Sequence, residues 1–451
     1  MHPNAQLSQG PVESVSNVRL KQAEAIIEKA RGMAASPIES PYTDKFGTLG
    51  NFTRSAREWV QFLDEAPESE DTRELREAVE AAITNLYPFL SHSPRHPGST
   101  TPFRDLRASF EAGSRGIVVP TGKGTMRWAA HLISALQDVL GTRLPILVVY
   151  AGEQDFPADD RGDFQSRFVD VDFMDILLQV DDSTLKLGDG GWAIKAFAAL
   201  YAPYQEIILL DADCVFVQSP EVLFDDTSYV QTGALLFHDR LLWQHARQDR
   251  LDWWRSQVED PSPALKKSLC WTEGWSEEED SGVVVLNKSR LDVLMGLLHT
   301  SWQNSKAVRD EVTYRMSYGD KETFWFGLEL SGARYAFEDH YGGMVGWPHA
   351  EQPTNENEDK ICSFYIAHVD SDDELLWYNG SLLKFKRGSN TTDFGIPTHL
   401  MMDGKWHKDG SVEEESCMDE KTASKLSDNV LQVLDKTIAA AKEVDQDLKL
   451  V

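Results

Sequence analysis

The chain has 451 residues, of which 41% are hydrophobic and 10% aromatic, and its formal net charge is −29. This apolar content supports a sizeable packed core and argues against global disorder. The negative charge argues against nucleic acid or anionic lipid as partners, because both are repelled at long range. A phosphate-bearing ligand would therefore need a metal ion, a helix N-terminus or a few placed cations.

The sequence predicts no membrane segment and no signal peptide. No stretch approaches the ~20 apolar residues that a spanning helix needs, and residues 1–17 lack a charged-then-apolar pattern. We therefore expect a soluble chain. Four N-x-S/T sequons, a number that chance can produce, begin at Asn51, Asn287, Asn379 and Asn390.

The cysteines do not predict a zinc site, because none of them shows C-x-x-C spacing. Disulfides are possible, but the sequence leaves their pairing open. The four cysteines are Cys214, Cys270, Cys362 and Cys417.

Residues 1–115 are predicted to form a helical N-terminal extension. Segments 17–33 and 71–90 place apolar residues at helical spacing, and Pro88 ends the second helix. Residues 91–102, rich in proline, serine and histidine, read as a connector.

From Gly116 onwards the pattern predicts an α/β domain over residues 116–400. Segments 116–120, 145–150, 167–171 and 206–210 are predicted strands, and 126–140 and 190–204 are predicted helices. This alternation favours a parallel sheet covered on both faces, which binds ligands beyond the carboxyl ends of its strands.

The second half of the chain is less regular. Segments 229–240 and 281–288 are predicted strands, 290–304 is a predicted helix, and 318–332 is a loop entering a helix. Residues 401–451 are predicted to form an acidic segment and an amphipathic helix over 425–444.

The Asp211–Ala212–Asp213 stretch is the strongest candidate for a metal site. Three other Asp-x-Asp pairs occur, at 170/172, 370/372 and 445/447, but only this pair follows a four-residue apolar run. Two carboxylates at the end of a buried strand repel each other and are desolvated, and a hard divalent cation relieves both costs. The rival interpretation is an ordinary acidic turn, and the pair 445/447 is expected to be solvated charge.

The turn "PTGKGTMR" (120–127) lies between a predicted strand and a predicted helix, where a nucleotide could pack. It is not a phosphate loop, because Lys123 is followed by glycine and the glycine spacing is too long. A plain strand–helix turn is the alternative to donor binding by Thr121, Gly122 and Arg127.

Lys195 stands on an otherwise apolar predicted helix. It is either a side chain that reaches solvent or a cation aimed at a donor phosphate or at the acidic pair. Ser281 and Gly282 precede a predicted strand, where the glycine permits close approach of backbone and ligand.

Asp320 and Glu322 come just ahead of an aromatic-rich helix and are candidate catalytic residues. Their rival role is structural, since Asp320 could cap that helix. His368 follows an apolar strand, and together with the aspartate pair it would complete a nitrogen–oxygen ligand set suited to Mn²⁺. A buried histidine of the core is the alternative.

Five blocks in order carry a resemblance to a known family. They are "GIVVPTG…RWAAHLISALQ", "GGWAIKAFAALY…EIILLDAD…SPEVLF", "DSGVVVLNK", "YGDKETFWFGLELS" and "AHVDSDDELLWYNG". Over residues 115–385 the chain resembles the fungal α-1,3-mannosyltransferases, glycosyltransferase family 71.

The resemblance implies a GT-A fold, a Rossmann-like mixed sheet flanked by helices. It also implies a GDP-mannose donor, a glycan or glycoprotein acceptor, Mn²⁺ and retention at the anomeric carbon. Asp211 and Asp213 would be the metal and donor aspartates. His368, Lys195 and Asp320 match the metal histidine, the donor-side lysine and the sugar-side acid of the more distant family-8 enzymes. Members of the family are anchored Golgi proteins, so the resemblance implies the Golgi lumen, although this chain departs from the pattern by lacking an anchor.

Two alternatives remain open at this point. A sugar nucleotidyltransferase would also use paired acids and a metal, and it would release pyrophosphate rather than GDP. A non-catalytic glycan-binding protein is the other, suggested by the 13 tryptophans.

Overall fold

The computed structural model describes residues 15–66, 70–189, 191–349, 360–384, 392–408 and 416–451. Its helices are α1 Val15–Ala34, α2 Phe46–Asp64, α3 Glu70–Leu86, α4 Pro102–Ala108, α5 Met126–Ser134, α6 Gly152–Asp155, α7 Ala158–Arg167, α8 Asp182–Leu185, α9 Ile194–Tyr201, α10 Thr227–Thr232, α11 Gln248–Gln257, α12 Leu269–Glu273, α13 Leu291–Gln303, α14 Lys306–Val308, α15 Tyr314–Met316, α16 Thr323–Leu330 and α17 Asp428–Asp447.

The strands form two sheets. They are β1 Glu111–Pro120, β2 Ile146–Tyr150, β3 Val171–Asp175, β4 Tyr204–Leu210, β5 Cys214–Phe216, β6 Ala234–Leu236, β7 Val283–Asn287, β8 Ala336–Phe337, β9 Gly343–Pro348, β10 Ile361–Ser363, β11 Ile366–Val369, β12 Leu375–Asn379, β13 His399–Met401, β14 Lys405–His407, β15 Ser416–Asp419 and β16 Ser424–Lys425.

The first sheet has seven strands in the order β3-β2-β1-β4-β7-β6-β8. Strands β3, β2, β1 and β4 are parallel, whereas β7 runs antiparallel to both β4 and β6. The sheet is therefore mixed. This confirms the mixed GT-A sheet that the resemblance implies, and the four strands whose alternation with helices predicted parallel pairing are parallel.

Strand β4 is buried on both of its faces, as its unbroken apolar sequence predicts. Ile207 and Leu209 pack into one hydrophobic core, and Ile208 and Leu210 pack into the other. All four side chains are fully buried. The first core also contains helices α1 to α4, α9, α13 and α16, so the N-terminal helices form part of a helical layer against the sheet.

The second sheet has nine strands, all paired antiparallel. Strand β5, at one edge of it, begins directly after Asp213, so the Asp211–Asp213 stretch lies where the chain passes from one sheet to the other. Strands β14 and β15 belong to this sheet. The predicted division after residue 400 falls within strand β13 of the same sheet, and the domain boundaries stay predictions.

Two predicted strands differ from the structure. Segment 229–240 begins inside α10, because the Asp226 side chain accepts the N–H of Tyr229 at 2.9 Å and Gly233, at φ +80°, ends the helix before β6. Segment 167–171 is the end of α7 and a turn, and β3 begins only at Val171. Helix α2 has no counterpart in the prediction.

Within the described ranges, no helix is long and apolar enough to cross a membrane. The structure contains one feature that the sequence left open, a disulfide between Cys362 and Cys417. It joins residues that face each other on the paired strands β10 and β15. Cys214 and Cys270 are free and buried.

Candidate active site

A buried lysine lies at the centre of the polar cluster at the carboxyl end of β4. Lys195, in the first turn of α9, is 5% exposed. Its Nζ lies 2.9 Å from Oδ1 of Asp211 and 3.1 Å from Oδ2 of Asp320. The same ammonium donates to the carbonyl oxygen of Ser281 at 2.8 Å and to its Oγ at 2.9 Å. The structure therefore excludes a lysine that reaches solvent and places it against the acidic group.

The backbone fixes Asp211 and Asp213 in this corner. The N–H of Asp211 donates to the carbonyl of Gly282 at 2.8 Å, which extends the pairing of β4 with β7. The carbonyl of Asp213 accepts the N–H groups of Gly380 at 3.3 Å and Ser381 at 2.8 Å, just after β12. Both sheets thus hold the Asp-x-Asp stretch in place.

Negative charge exceeds positive charge in this cluster. Burial raises the pKa of Asp211 to about 7; Lys195 opposes this shift, and Asp213 and Asp320 reinforce it. Burial likewise raises the pKa of Asp320, against the pull of Lys195. Asp211 and Asp320 share one ammonium, and Asp213 adds a third negative charge nearby, so a further cation would lower the electrostatic free energy of the group.

Asp320 does not act as a helix cap. Helix α16 begins at Thr323, and Thr323 is bound by the backbone carbonyl of Asp320 rather than by its carboxylate. The Asp320 carboxylate, 3% exposed, is turned to Lys195 instead. The alternative role of Asp320 as a side-chain cap of this helix is therefore wrong.

Glu322 is held by groups of the protein itself. Its Oε2 accepts the indole N–H of Trp325 at 2.6 Å, and its Oε1 accepts the backbone N–H of Glu278 at 3.1 Å. The residue is 2% exposed. These contacts give Glu322 a part in fixing the start of α16 against the segment before β7.

His368 lies in strand β11, one residue before its end, and is 1% exposed. Its Nε2 lies 3.1 Å from Oδ2 of Asp280, and its ring stacks on Trp377 with centroids 4.2 Å apart. Burial lowers the pKa of His368, with Asp280 opposing the shift, which favours the neutral ring. Its Nδ1 is buried and has no hydrogen-bond partner among the described residues.

The fit of these residues to a divalent cation differs between the aspartates and the histidine. Asp211 and Asp213 supply hard oxygen ligands in a corner with surplus negative charge, which suits Mn²⁺. A neutral imidazole with a carboxylate on one nitrogen and the other nitrogen vacant is the usual state of a metal-ligating histidine. However, within the described ranges, His349, Cys362 and Cys417 are the only His, Cys, Asp or Glu group of three with candidate ligand atoms within 4.8 Å of one another. Two members of this group, Cys362 and Cys417, are joined by the disulfide. Asp211, Asp213 and His368 are not drawn together that closely, and their shared site stays a prediction.

Sequence reasoning missed Asp280 and Asn379. Asp280 is 2% exposed, and its Oδ1 accepts from the Asn379 amide at 2.9 Å and from the N–H of Gly282 at 3.0 Å. Asp280 therefore joins His368 to the Ser281–Gly282 turn. The signal was present as the last acidic residue before Ser281, but it was hidden in a run of four acids.

The turn after β1 has the geometry of a tight strand–helix connection. The hydroxyls of Thr121 and Thr125 lie 2.6 Å apart. A Cβ added at Gly122 would lie 2.1 Å from Oδ1 of Asp155, so the close approach of that carboxylate requires glycine here. The structure provides a reason for these residues without a donor, and donor binding by Thr121 and Gly122 stays a prediction.

Arg127 is bound to the C-terminal helix. Its Nε and Nη2 lie 2.8 and 2.6 Å from the two oxygens of Asp445, and His131 Nε2 lies 2.8 Å from the same carboxylate. Asp445 is 3% exposed, so the expectation of a solvated 445/447 pair is wrong for this residue. The side of α17 that carries Asp445 faces α5. A donor contact by Arg127 stays a prediction.

The architecture and this corner define a class of protein. A mixed seven-stranded α/β sheet with helices on both faces carries an Asp-x-Asp stretch directly after its central strand β4, beside a buried lysine. This is the GT-A glycosyltransferase fold that the resemblance implied.

The family is shown by the sequence match. The family model described as "Mannosyltransferase putative" matches residues 114–370, more than half of the chain, and the chain belongs to that family. The resemblance stated from the sequence blocks is confirmed.

The chain is similar to curated yeast enzymes over part of their length. It is 33% identical to α-1,3-mannosyltransferase MNT3 of Saccharomyces cerevisiae over 234 residues, which cover 45% of this chain and 36% of MNT3. It is 25% identical to α-1,3-mannosyltransferase MNN1 of the same organism over 365 residues, covering 69% of this chain and 45% of MNN1. The matched regions span less than half the length of these relatives.

A solved structure of the galactosyltransferase LgtC with donor and acceptor sugar analogues is similar over 49% of this chain and 72% of LgtC. Its TM-score is 0.33 and its sequence identity 12%.

Proposed function

We propose that this chain is a metal-dependent, retaining glycosyltransferase that moves mannose from GDP-mannose to a mannoside or glycan acceptor, forming an α-1,3 linkage. The observation that carries the proposal is the buried cluster of Lys195, Asp211 and Asp320 beside Asp213, in a chain of the mannosyltransferase family. The linkage is the one that the names of the yeast relatives specify.

Asp211, Asp213 and His368 are the residues that would hold Mn²⁺. A bound Mn²⁺ supplies positive charge to the donor diphosphate and stabilises the leaving group. The surplus of carboxylates at the end of β4 supports this assignment, and so does the vacant Nδ1 of His368. The acceptor would be a glycan in protein glycosylation.

Lys195 has a structural part in this scheme. Its ammonium holds Asp211 and Asp320 in fixed positions and bridges them to Ser281. Asp320, at the same edge, would orient the transferred sugar or stabilise the positive charge that develops at its anomeric carbon. The contacts of Glu322 support a positioning role for that residue.

For the chemical step we favour attack from the face that the leaving group departs. The acceptor hydroxyl oxygen bonds to the anomeric carbon while the bond from that carbon to the phosphate oxygen breaks. The departing phosphate oxygen takes the hydroxyl proton, so the products are the mannoside and GDP. No side chain is required to become a covalent intermediate.

The Golgi lumen is the proposed location. A disulfide such as that between Cys362 and Cys417 forms and persists in an oxidising compartment such as the secretory pathway. Two of the sequons differ in how accessible their asparagine is. Asn51 is exposed on α2, whereas the Asn379 side-chain amide donates a hydrogen bond to Asp280. The sequon at Asn390 lies outside the described residues.

The test is Asp213→Asn, assayed with radiolabelled GDP-mannose, a mannoside acceptor and Mn²⁺. We expect transfer to fall on the order of 10²–10³-fold, because the variant loses a negative ligand to the cation that balances the diphosphate. The matched control is Asp172→Asn, from the competing Asp-x-Asp pair at 170/172, which should keep wild-type activity; Asp172 lies on β3.

Product analysis decides between the functions. Free GDP with a metal requirement supports the proposal, whereas pyrophosphate release supports a nucleotidyltransferase. Full activity of Asp213→Asn, or full activity in EDTA, contradicts the metal-dependent mechanism. Acceptor binding with neither transfer nor donor hydrolysis supports a glycan-binding protein.

A further inference from the structure

Two large aromatic side chains lie exposed beside the polar cluster. Trp192 is 48% exposed and Tyr318 is 67% exposed. Their ring centroids lie 5.2 Å apart with 47° between the ring planes, so the two rings form one continuous aromatic surface. Large apolar groups grouped at the surface of a protein mark interaction sites more often than isolated ones do.

Both rings are fixed to the segments that carry the cluster. The carbonyl of Trp192 accepts the N–H of Lys195 at 3.1 Å, so the indole lies one turn before the buried ammonium. Tyr318 precedes Asp320 by two residues. Because Lys195 and Asp320 are ion-paired at 3.1 Å, the two segments that carry the aromatic surface meet at the same cluster.

The indole is held in position although it is exposed. A Cβ added at Gly319 would lie 2.4 Å from Cε3 of Trp192, so the turn before Asp320 approaches the ring as closely as a glycine permits. Gly319 has φ +67°, which favours glycine for a second reason. The ring of Tyr314 packs against the indole by its edge, and the Tyr314 hydroxyl donates to Asn304 at 3.1 Å.

We propose that Trp192 and Tyr318 form the surface on which a mannosyl residue of the acceptor stacks. This inference rests on the proposed function, because the acceptor is a glycan only there. A pyranose ring presents an apolar C–H face and a polar hydroxyl edge, which suits a rigid aromatic surface next to charged groups. A neutral sugar also avoids the repulsion that a chain of net charge −29 exerts on anionic ligands.

The acceptor suits this surface better than the donor. The donor carries a diphosphate, whose charge has to be balanced at the Asp211–Asp213 corner. An acceptor glycan is uncharged and extends away from its reacting hydroxyl, so its next sugar lies towards solvent. Both rings are exposed and therefore accessible to a sugar that extends towards solvent.

The experiment measures sugar binding separately from turnover. Binding of α-linked mannobiose is titrated by calorimetry in the presence of GDP and Mn²⁺ for the wild type, Trp192→Ala, Trp192→Phe and Tyr318→Ala. We expect roughly tenfold weaker binding for both alanine variants, because each removes a stacking partner. Trp192→Phe should recover most of the affinity.

Trp243→Ala is the matched control, since Trp243 is also 48% exposed and lies in the segment between β6 and α11. It should bind mannobiose like the wild type. In assays of transfer, Trp192→Ala should raise the KM for the acceptor about tenfold with little change in kcat, and the affinity for GDP-mannose should not change. Since the side chains are exposed, the thermal unfolding temperatures should stay close to the wild-type value.

Several results would overturn the inference. These are wild-type mannobiose binding by Trp192→Ala, an equal loss in Trp243→Ala, a loss confined to GDP-mannose affinity, or no binding of mannobiose by the wild type. Its failure is distinct from failure of the proposed function. Wild-type acceptor kinetics in Trp192→Ala overturn the aromatic surface alone, whereas ring-dependent mannobiose binding without any transfer overturns the transferase and leaves the sugar surface in place.

Discussion

The carboxyl end of β4 and the N-terminal helices α1–α4 bury very different groups. At the end of β4, Lys195, Asp211, Asp213 and Asp320 crowd into one corner with more negative than positive charge. The buried faces of α1–α4 belong to an apolar core shared with α9, α13 and α16. Surplus buried charge costs stability and apolar burial supplies it. The chain therefore loses folding stability at its proposed site and gains it in the adjoining helical layer.

Lys195→Met removes the cation at the carboxyl end of β4 and keeps the length of the side chain. Asp211 and Asp320 would be left without their ammonium, so transfer should fall on the order of 10³-fold. The free energy of unfolding should fall by roughly 3–5 kcal/mol, because two buried carboxylates lose their partner. Transfer assays and denaturant unfolding measure the two effects.

A second buried lysine provides the control. Lys288 is 1% exposed, and its Nζ donates to the carbonyl of Ala202 at 2.5 Å. Lys288→Met should change stability but leave the acceptor kinetics of the folded protein intact. Equal losses of transfer in both variants would show that buried lysines here matter only for folding.

Phe46→Ala tests the helical layer. Phe46 is fully buried at the start of α2, with ring centroids 4.9 Å from both Trp253 and Trp302. The cavity should cost roughly 3–5 kcal/mol of unfolding free energy, while transfer at low temperature stays near wild type. Phe52→Ala, on the same helix but half-buried, should cost less. Loss of transfer by the folded Phe46→Ala protein would contradict the inference that the helical layer supplies stability and the end of β4 supplies the chemistry.

Glu80→Gln tests a buried carboxyl group in the otherwise apolar helical layer. Glu80 is 8% exposed, and burial raises its pKa to about 7, although the N–H of Phe103 donates to its carboxylate. Well below pH 4.5 the carboxyl is protonated in both the folded and the unfolded states. As the pH rises to about 7, the unfolded chain loses the proton first, so the wild type loses stability across this window.

The amide cannot ionise and removes this dependence. Glu80→Gln should match the wild type near pH 4.5 and exceed it by up to about 3 kcal/mol at pH 8, measured by urea unfolding at both values. A variant that is less stable than the wild type at pH 8 would show that Glu80 is stabilised as an anion. In that case the helical layer would also hold a paired charge.

The sequence predicted the first sheet better than the second because four of its strands, β1, β2, β4 and β7, have at least five residues and contain continuous apolar runs. The four buried residues before Asp211 identify β4 without any tertiary information. The second sheet is built from strands of two to six residues, whose pattern is too short to separate from turns. The disulfide depends on the pairing of β10 with β15, which lies beyond what spacing can reveal.

The candidate site was predictable as a list of residues and not as a set of contacts. Lys195 and Asp211 were both named from local pattern, but their ion pair depends on how α9 packs against β4. Asp280 was missed because a run of acids looks like solvated charge until the fold buries it. Asp445 was misread for the same reason, since its helix was judged without the neighbour that covers it.

The contact between α17 and α5 has a consequence for the order of events during synthesis. Asp445 lies 318 residues after Arg127 and 314 residues after His131, and both bind its carboxylate. Translation therefore produces α5 long before it reaches the carboxylate that binds Arg127 and His131. Until α17 emerges, the helix next to the proposed donor turn lacks its cover. We expect the nascent protein to acquire its final donor-side structure only when translation has passed Asp445.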